Sequence, residues 1–163
     1  MATIRRAGRD CEGDLAALIA AFRAELARLR GCERAPDLDA ARKELEQYWS
    51  KGFPIFVAEL EGRLVGYLVC RVDGNVVWAE SLYVVPAYRR RGIGSALYSR
   101  AEELAEELGG SPPYNWVHPN NGVIIRFLER RGYRVLNLIE LRRPLPGERP
   151  QARIRVGKHE FDY

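Results

Sequence analysis

One stretch, YVVPAYRRRGIGSALYSRAEELAEELG over residues 83–109, constrains the fold more than any other part of the chain. Pro86 ends an apolar strand, three arginines and two glycines follow, and an apolar stripe at helical spacing begins at Ile93. Glycine allows close approach of the backbone, and the first amides of a helix have no intrahelical partner. This order predicts a loop that binds a diphosphate; the alternative is a glycine turn with a solvated basic surface.

The segments around this loop predict a mixed sheet. A strand over residues 2–7 and helices over 14–30 and 38–49 precede three strands joined by the turns Glu61-Gly62 and Asp73-Gly74-Asn75. After the loop come a helix over 93–108, a short strand over 114–118, a helix over 120–132 and a strand over 133–143. The crossover through the helix over 93–108 requires a parallel strand pair. Residues 144–151 read as a connector, and 152–163 as a terminal strand or hairpin arm.

Two other phosphate-binding fingerprints fail on specific residues. A dinucleotide fingerprint needs a third glycine where this chain has Leu97, and it follows the first strand of a βαβ unit rather than a meander. A nucleotide P-loop needs Gly-Lys-Ser/Thr, which is missing from the sequence.

Composition narrows the class of protein. A length of 163 residues fits one domain, and no apolar run approaches the roughly 18 residues of a membrane helix. The N-terminus lacks the apolar stretch of a signal peptide, so we expect a cytoplasmic protein without a membrane partner. Three cysteines, with no CxxC pair, predict neither a disulfide framework nor a metal site. The net charge of +4 is spread over scattered arginine clusters, so we expect no nucleic-acid partner.

At these residues the chain resembles a known family. Arg89-x-x-Gly92-x-Gly94 is similar to the loop with which the GNAT superfamily of N-acetyltransferases binds the coenzyme A pyrophosphate, and NNGVIIRFLERRGY resembles a second segment of that family. The resemblance implies an α/β (α+β) fold: a mixed, mostly antiparallel sheet of six to seven strands flanked by four helices. It implies a single acetyltransferase domain over residues 1–163, although residues 144–163 are not covered.

The resemblance also implies residue roles around acetyl-CoA, the acetyl donor. The strand residues Leu82, Tyr83 and Val84 would pair through their backbone with the pantetheine arm. Asn121 would approach the cofactor near the fourth helix. The pyrophosphate would be held by eight consecutive residues, Arg89, Arg90, Arg91, Gly92, Ile93, Gly94, Ser95 and Ala96.

The chemistry would be direct transfer of the acetyl group to a primary amine with help from a general base. Glu80, on the strand beside the thioester, is the candidate base; its alternative is a carboxylate paired with an arginine. His118 is a candidate acid or base, or else a loop histidine. The general acid is open, because Leu128 stands where many family members have Tyr. Tyr83, Tyr98 and Tyr133 are other possible proton donors.

The sequence leaves the acceptor open among protein N-termini, lysines and small-molecule amines. Glu33, Asp37 and Asp39 would favour a cationic acceptor, or else are solvent-facing loop and cap charges. The departure at Leu128 motivates an alternative function, a catalytically weak sensor or scaffold that binds acyl-CoA. A homodimer is possible if the tail with Phe161 and Tyr163 crosses to a partner subunit.

Overall fold

The computed structural model describes residues 1–144, 146–147, 149–150 and 152–163. These residues form two compact units, Met1–Trp116 and Val117–Tyr163. A single domain over residues 1–163 stays a prediction. Across the described ranges, no helix has both the length and the apolar character needed to cross a membrane. Nor do three His, Cys, Asp or Glu side chains in those ranges cluster in a way that could hold a metal ion.

A five-stranded sheet, in the order β1-β2-β3-β4-β5, forms the centre of the first unit. Its strands are β1 (Thr3–Arg6), β2 (Ile55–Leu60), β3 (Arg63–Asp73), β4 (Val76–Val84) and β5 (Tyr114–Asn115). The first four pair antiparallel, and β5 pairs parallel with β4. Glu61 and Gly62 both have positive φ, 53° and 74°, as a tight hairpin turn requires. The predicted meander and parallel pair are therefore confirmed.

Three helices cover the two faces of this sheet: α1 (Glu12–Leu29), α2 (Leu38–Ser50) and α3 (Ile93–Glu107). Asp37 is the predicted N-cap of α2, and its carboxylate accepts the Ala40 N–H at 2.9 Å. One core joins α1 and α2 to side chains such as Tyr67 and Val69. A second core joins α3 to side chains such as Leu68 and Cys70. Because adjacent residues of β3 enter different cores, the sheet is buried on both faces.

The second unit contains α4 (Gly122–Arg130) and a hairpin of β6 (Arg153–Val156) and β7 (His159–Asp162). Asn121 caps α4, since its side-chain oxygen accepts the Ile124 N–H at 3.3 Å. The hairpin reverses through Gly157, whose φ of 61° suits a glycine. The terminal segment is thus a complete hairpin. Three positions of the predicted connector, 145, 148 and 151, lie outside the described residues.

The predicted number of strands is confirmed, but the strands are divided between two sheets. Seven described strands form a five-stranded and a two-stranded sheet rather than one sheet of six to seven. The predicted strand over residues 133–143 is wrong, because those residues have no regular secondary structure. Large apolar side chains there are 48–89% exposed: Val135, Leu136, Leu138, Ile139 and Leu141. The segment has strand-like composition, but a strand also needs a neighbour for its backbone groups.

The close contact between β3 and α3 gives a stability prediction. A Cβ at Gly66 would lie 2.8 Å from the Tyr83 carbonyl oxygen and 3.2 Å from Leu97 Cδ1. Gly66→Ala should therefore lower the free energy of unfolding by about 1–3 kcal/mol through overpacking, measured by urea denaturation. Gly13→Ala is the control, because a Cβ at this site in α1 meets no atom within 4 Å. It should be neutral or stabilising by up to about 1 kcal/mol, and equal losses in both variants would contradict the packing argument.

Candidate functional site

The arginine–glycine loop leads directly into the first turn of α3. Pro86–Tyr88 form a single 3₁₀ turn, Arg90 has a φ of 64°, and Gly92, with a φ of 78°, is the N-cap. The first intrahelical bond runs from the Ala96 N–H to the Gly92 carbonyl at 2.9 Å. The N–H groups of residues 93–95 consequently have no partner within the helix. Together with the positive end of the helix dipole, they can hold an anion.

Arg89 fixes this loop to the rest of the first unit. Its Nε donates to the Val84 carbonyl at 2.7 Å, and its Nη2 donates to Glu25 on α1 at 2.6 Å. The guanidinium also lies 5.5 Å from the ring centre of Tyr83. Burial, with the Glu25 carboxylate adding to it, raises the pKa of the Tyr83 phenol, and Arg89 opposes the shift. Arg89 thus holds the loop in place, while the exposed Arg90 and Arg91 are the side chains open to an anion.

Glycine occurs at the two positions of the motif for different structural reasons. Gly92 needs a left-handed backbone, although a Cβ there would meet no atom within 4 Å. Gly94 lies inside α3, where a Cβ would be in ordinary contact with Val84 Cγ2 at 3.8 Å. Since glycine costs a helix up to about 1 kcal/mol relative to alanine and nothing in the fold requires it here, the open space over Gly94 fits a bound ligand.

Beside this loop, β4 has an uncovered edge. On the side opposite β3, only Trp78 and Ala79 pair with β5, and no strand pairs with residues 80–84 on that side in the described ranges. The Val85 N–H donates to Val65 on β3, so by the alternation of an antiparallel ladder Leu82 and Val84 direct their backbone groups to the open edge. The Val84 carbonyl there is already bound to Arg89. The predicted pantetheine residues Leu82, Tyr83 and Val84 therefore lie on a strand with free backbone donors.

A side-chain contact fixes the point where β5 ends. The Tyr98 hydroxyl on α3 donates to Asn115 Oδ1 at 3.0 Å, and Asn115 Nδ2 approaches the same hydroxyl at 2.8 Å. Tyr98 is buried, and its hydroxyl is engaged here rather than open to solvent. Tyr98 is one of the possible proton donors named from the sequence. Its hydroxyl instead has a structural role where the parallel pair ends.

A β-bulge places Glu80. Val69 pairs with Ser81 and Cys70 pairs with Ala79, so Glu80 is the extra residue of β4 with no partner on β3. Strict alternation of side chains along β4 therefore holds up to Glu80 and fails beyond it. The Ser81 hydroxyl bonds to Tyr67 at 2.8 Å in the core under α1 and α2, whereas Leu82 packs in the core under α3.

Glu80 has a charged neighbour but an unfilled hydrogen-bonding atom. Its Oε2 lies 3.7 Å from Arg71 Nε, within range of an ion pair but too far for a hydrogen bond. Both atoms are buried and have no hydrogen-bond partner among the described residues. The Arg71 guanidinium lies over the rings of Trp78 and Trp116, at 4.8 and 4.5 Å from their centres. Arg71 is thus held by aromatic contacts, and the buried Glu80 Oε2 has an unused acceptor site.

Glu80 and Arg71 open into a cavity of about 490 Å³ on the side of the sheet covered by α1 and α2. Inside it, Arg23 donates to both carboxylate oxygens of Glu44, at 2.9 and 3.1 Å from Nε, and to the Tyr48 hydroxyl at 3.1 Å. Burial and Glu44 raise the pKa of Tyr48. Burial acts to lower the pKa of Arg23, but Glu44 outweighs it and the net shift is upward. The remaining lining residues are Ala40, Lys43, Gln47, Lys51 and Phe53.

Two predicted site residues belong to the second unit. Asn121 caps α4, so its side-chain oxygen is used by the fold. His118 Nδ1 accepts the Asn120 N–H at 3.2 Å, and its ring meets that of Tyr163 edge-on at 6.3 Å. That bond favours the tautomer with the proton on Nε2. Leu128 is buried and carries no proton.

The acidic residues of the loop before α2 do not line the cavity. Asp37 is the N-cap, Asp39 is exposed and lies 3.9 Å from Arg42, and Glu33 is exposed. They are cap and surface charges, the second of the two interpretations left open by the sequence.

Sequence reasoning missed Arg71 and the Arg23–Glu44–Tyr48 group. The hairpin turn Asp73-Gly74-Asn75 sets a register in which Arg71 faces Trp78, so Arg71 could have been found from that turn. The Arg23–Glu44 pair joins two helices, and no local pattern in the sequence indicates it.

The chain is similar to known proteins over most of its length. Residues 19–133 match the description "Acetyltransferase (GNAT) family". A mycothiol acetyltransferase of Geodermatophilus obscurus is 33% identical over 142 residues, 82% of this chain and 44% of its own length. An uncharacterized N-acetyltransferase of Methanocaldococcus jannaschii is 33% identical over 85 residues, 48% of this chain and 38% of its own length. The chain thus spans less than half the length of these two curated relatives.

The fold also matches solved structures. The PaiA N-acetyltransferase of Thermoplasma acidophilum in complex with coenzyme A superposes with a TM-score of 0.69 at 17% identity, covering 80% of this chain and 88% of that one. At this identity the match concerns the fold. The family match extends over most of the chain and includes the arginine–glycine loop, the bulged strand and α4, and the chain therefore belongs to the GNAT acetyltransferase family.

Proposed function

We propose that this protein is an acetyl-CoA-dependent N-acetyltransferase that moves the acetyl group to a primary amine. The observation that carries the proposal is the juxtaposition within the first unit of three elements. They are the uncommitted amides at the start of α3, the open edge of β4, and Glu80 at the bulge of the same strand. The donor is supported by the family and by the coenzyme A complex of the PaiA N-acetyltransferase.

Donor binding follows from the first two elements. The pyrophosphate would accept from the N–H groups of residues 93–95, with Arg90 and Arg91 adding positive charge. The pantetheine arm would run along the open edge and pair with the backbone of Leu82 and Val84. Ser95 and Ala96 are exposed at the same helix start, and Asn121 stays a proposed neighbour of the cofactor.

Glu80 is the proposed base. An amine with an ordinary pKa of about 10.4 is protonated in all but one molecule in a few thousand at pH 7, so removal of its proton is needed before attack. Glu80 lines the cavity, and its carboxylate could accept that proton directly or through water. The neutral amine nitrogen then forms a bond to the acetyl carbon, the carbon–sulfur bond breaks, and the nitrogen loses a second proton to solvent as the amide forms. His118 stays the next candidate for this role.

The departing sulfur needs no acid at residue 128 in this proposal. Leu128 has no proton to give, so the sulfur leaves as a thiolate and takes its proton from solvent. Binding of acetyl-CoA without thiol release against a panel of amines would instead support the weak sensor or scaffold.

A cytoplasmic location belongs to the proposal, because Cys11, Cys32 and Cys70 are all free thiols, as a reducing compartment favours.

We also propose that the protein forms a homodimer. The aromatic residues of the tail are half-buried within the second unit, where Phe161 contacts His159 and Tyr163 contacts His118. The stronger support is the apolar segment 135–141, whose large side chains are 48–89% exposed. A run of this kind, with a sequence suited to a strand, fits a second copy of this chain.

Gly94 tests the donor site. Gly94→Glu should abolish binding of acetyl-CoA, because its side chain fills the space over α3 and repels the phosphates. Gly94→Ala is the matched control, since its Cβ fits at 3.8 Å from Val84 Cγ2. Isothermal titration calorimetry measures both. Equal affinity of the Glu variant and the parent would refute the assignment of the loop.

In the parent, acetyl-CoA at 100 times its Kd should add about 2.7 kcal/mol to the free energy of unfolding.

Glu80 tests the chemistry. Glu80→Gln keeps the size of the side chain but cannot take a proton, so kcat/KM should fall by about 10² to 10⁴ with acetyl-CoA affinity nearly unchanged. The ascending limb of the pH–rate profile should change as well. Glu59→Gln is the control, because Glu59 is a strand carboxylate paired with Arg5 at 2.9 Å outside the cavity. Near-parent turnover of Glu80→Gln would exclude the base; a large loss of thermal stability alone would favour the ion pair with Arg71.

The apolar segment tests the homodimer. Leu136→Asp combined with Leu138→Asp should convert a dimer to a monomer, because each carboxylate would be buried at the interface without a partner. Light scattering after gel filtration measures the mass. Leu38→Asp, at an isolated leucine that is 47% exposed at the start of α2, should leave the mass unchanged. A monomeric parent protein at all concentrations would disprove the proposal.

A further inference from the structure

The cavity beside Glu80 carries charges that bear on the acceptor. Its lining includes four cationic side chains, Arg23, Lys43, Lys51 and Arg71, and two carboxylates, Glu44 and Glu80. Both carboxylates are already matched by the arginines. Glu44 is bound by Arg23 through both oxygens, and Glu80 lies 3.7 Å from Arg71. The two lysines are the excess charge.

Lys43 and Lys51 carry that excess charge. Neither forms an ion pair with a carboxylate in the described ranges of the chain, and the Lys51 ammonium lies 5.8 Å from the centre of the Phe53 ring. With Gln47 between them, they follow one another at intervals of four residues, so they line one side of α2. Lys51 also lies at the carboxyl end of α2, where the helix dipole favours a cation.

From this distribution we infer that the acceptor is an amine that also bears an anionic group, a carboxylate or a phosphate. The amine would meet the Glu80 carboxylate, and the anion would lie toward Lys43 on α2 and Lys51 at its C-cap. A diamine or other polycation would instead place its second charge beside two unpaired ammonium groups. This inference rests on the proposed acetyl transfer and adds to it the class of substrate.

Matched acceptors test the charge alone. Three amines share one four-carbon chain and differ in the far group: 4-aminobutanoate carries a carboxylate, 4-aminobutanamide a neutral amide, and 1,4-diaminobutane an ammonium. Glucosamine 6-phosphate against glucosamine supplies the phosphate arm and tells whether carboxylate or phosphate is preferred. We expect kcat/KM, from thiol release with acetyl-CoA, to favour an anionic member over its neutral match by about twofold to thirtyfold, as two exposed ion pairs allow. The preference should weaken in 0.5 M salt.

Charge reversal at the lysines locates the effect. Lys43→Glu combined with Lys51→Glu should invert the ratio of kcat/KM between the anionic and the cationic amine. Arg63→Glu is the control for a change of charge in the same unit, because Arg63 begins β3 eight residues before Arg71, about 26 Å away along the strand. That variant should keep the parent ratio. An unchanged ratio in the double variant, or a parent preference for the neutral or cationic amines, would overturn the inference.

The same compounds separate this inference from the proposed function. Failure of the parent to bind acetyl-CoA would contradict the acetyltransferase itself. If acetyl-CoA binds but no amine is acetylated, calorimetric titration of the amines into the coenzyme A complex still ranks them. Tighter binding of the anionic members, lost in Lys43→Glu with Lys51→Glu, would then support the acceptor class without turnover; equal or weaker binding would refute it.

Discussion

The antiparallel pairing of β3 with β4 is the contact on which the whole candidate site depends. Its register places Arg71 opposite Trp78 and leaves Glu80 as the extra residue of a bulge. Because the pairing uses one side of β4, the other side is free to bind an extended ligand where β5 ends. One strand thus supplies both the proposed base and the proposed donor-binding edge. A shift of the hairpin by one residue would reverse the faces of all these side chains.

Arg89 and Arg71 both lie next to this strand, but they differ in how far their guanidinium groups are hydrogen-bonded within the protein. Arg89, the first residue of the motif, uses its guanidinium inside the protein, on the Val84 carbonyl and on Glu25. In the proposed donor site, the motif would therefore act through the amides that Arg89 positions as well as through charge. Arg71 belongs to no motif, and its Nε is buried without a hydrogen bond beside the equally unfilled Glu80 Oε2. A buried donor and acceptor of this kind cost free energy unless a ligand or water completes them, which is typical of a functional site.

Local signals in the sequence were enough to predict most of the first unit. Turn residues at Glu61-Gly62 and Asp73-Gly74-Asn75 indicated the meander, helical spacing indicated α1 to α3, and the arginine–glycine order indicated the loop that leads into α3. A turn needs particular φ values and a helix needs an apolar stripe, and both can be read from neighbouring residues. Capping side chains are local features of the same kind: Asp37 and Asn121 each accept a backbone N–H of the helix that follows.

Features that depend on partners distant in the chain were set by tertiary contacts. The bulge at Glu80 comes from the mismatch between β3 and β4, so simple alternation placed Ser81 on the wrong face. The Arg23–Glu44 pair, which leaves Lys43 and Lys51 as the excess charge of the cavity, exists only because α1 packs on α2. The segment 133–143 shows the same limit, since its composition suits a strand but its backbone has no neighbouring strand to pair with. Propensity is a property of the residues themselves, whereas pairing and burial belong to the assembled fold.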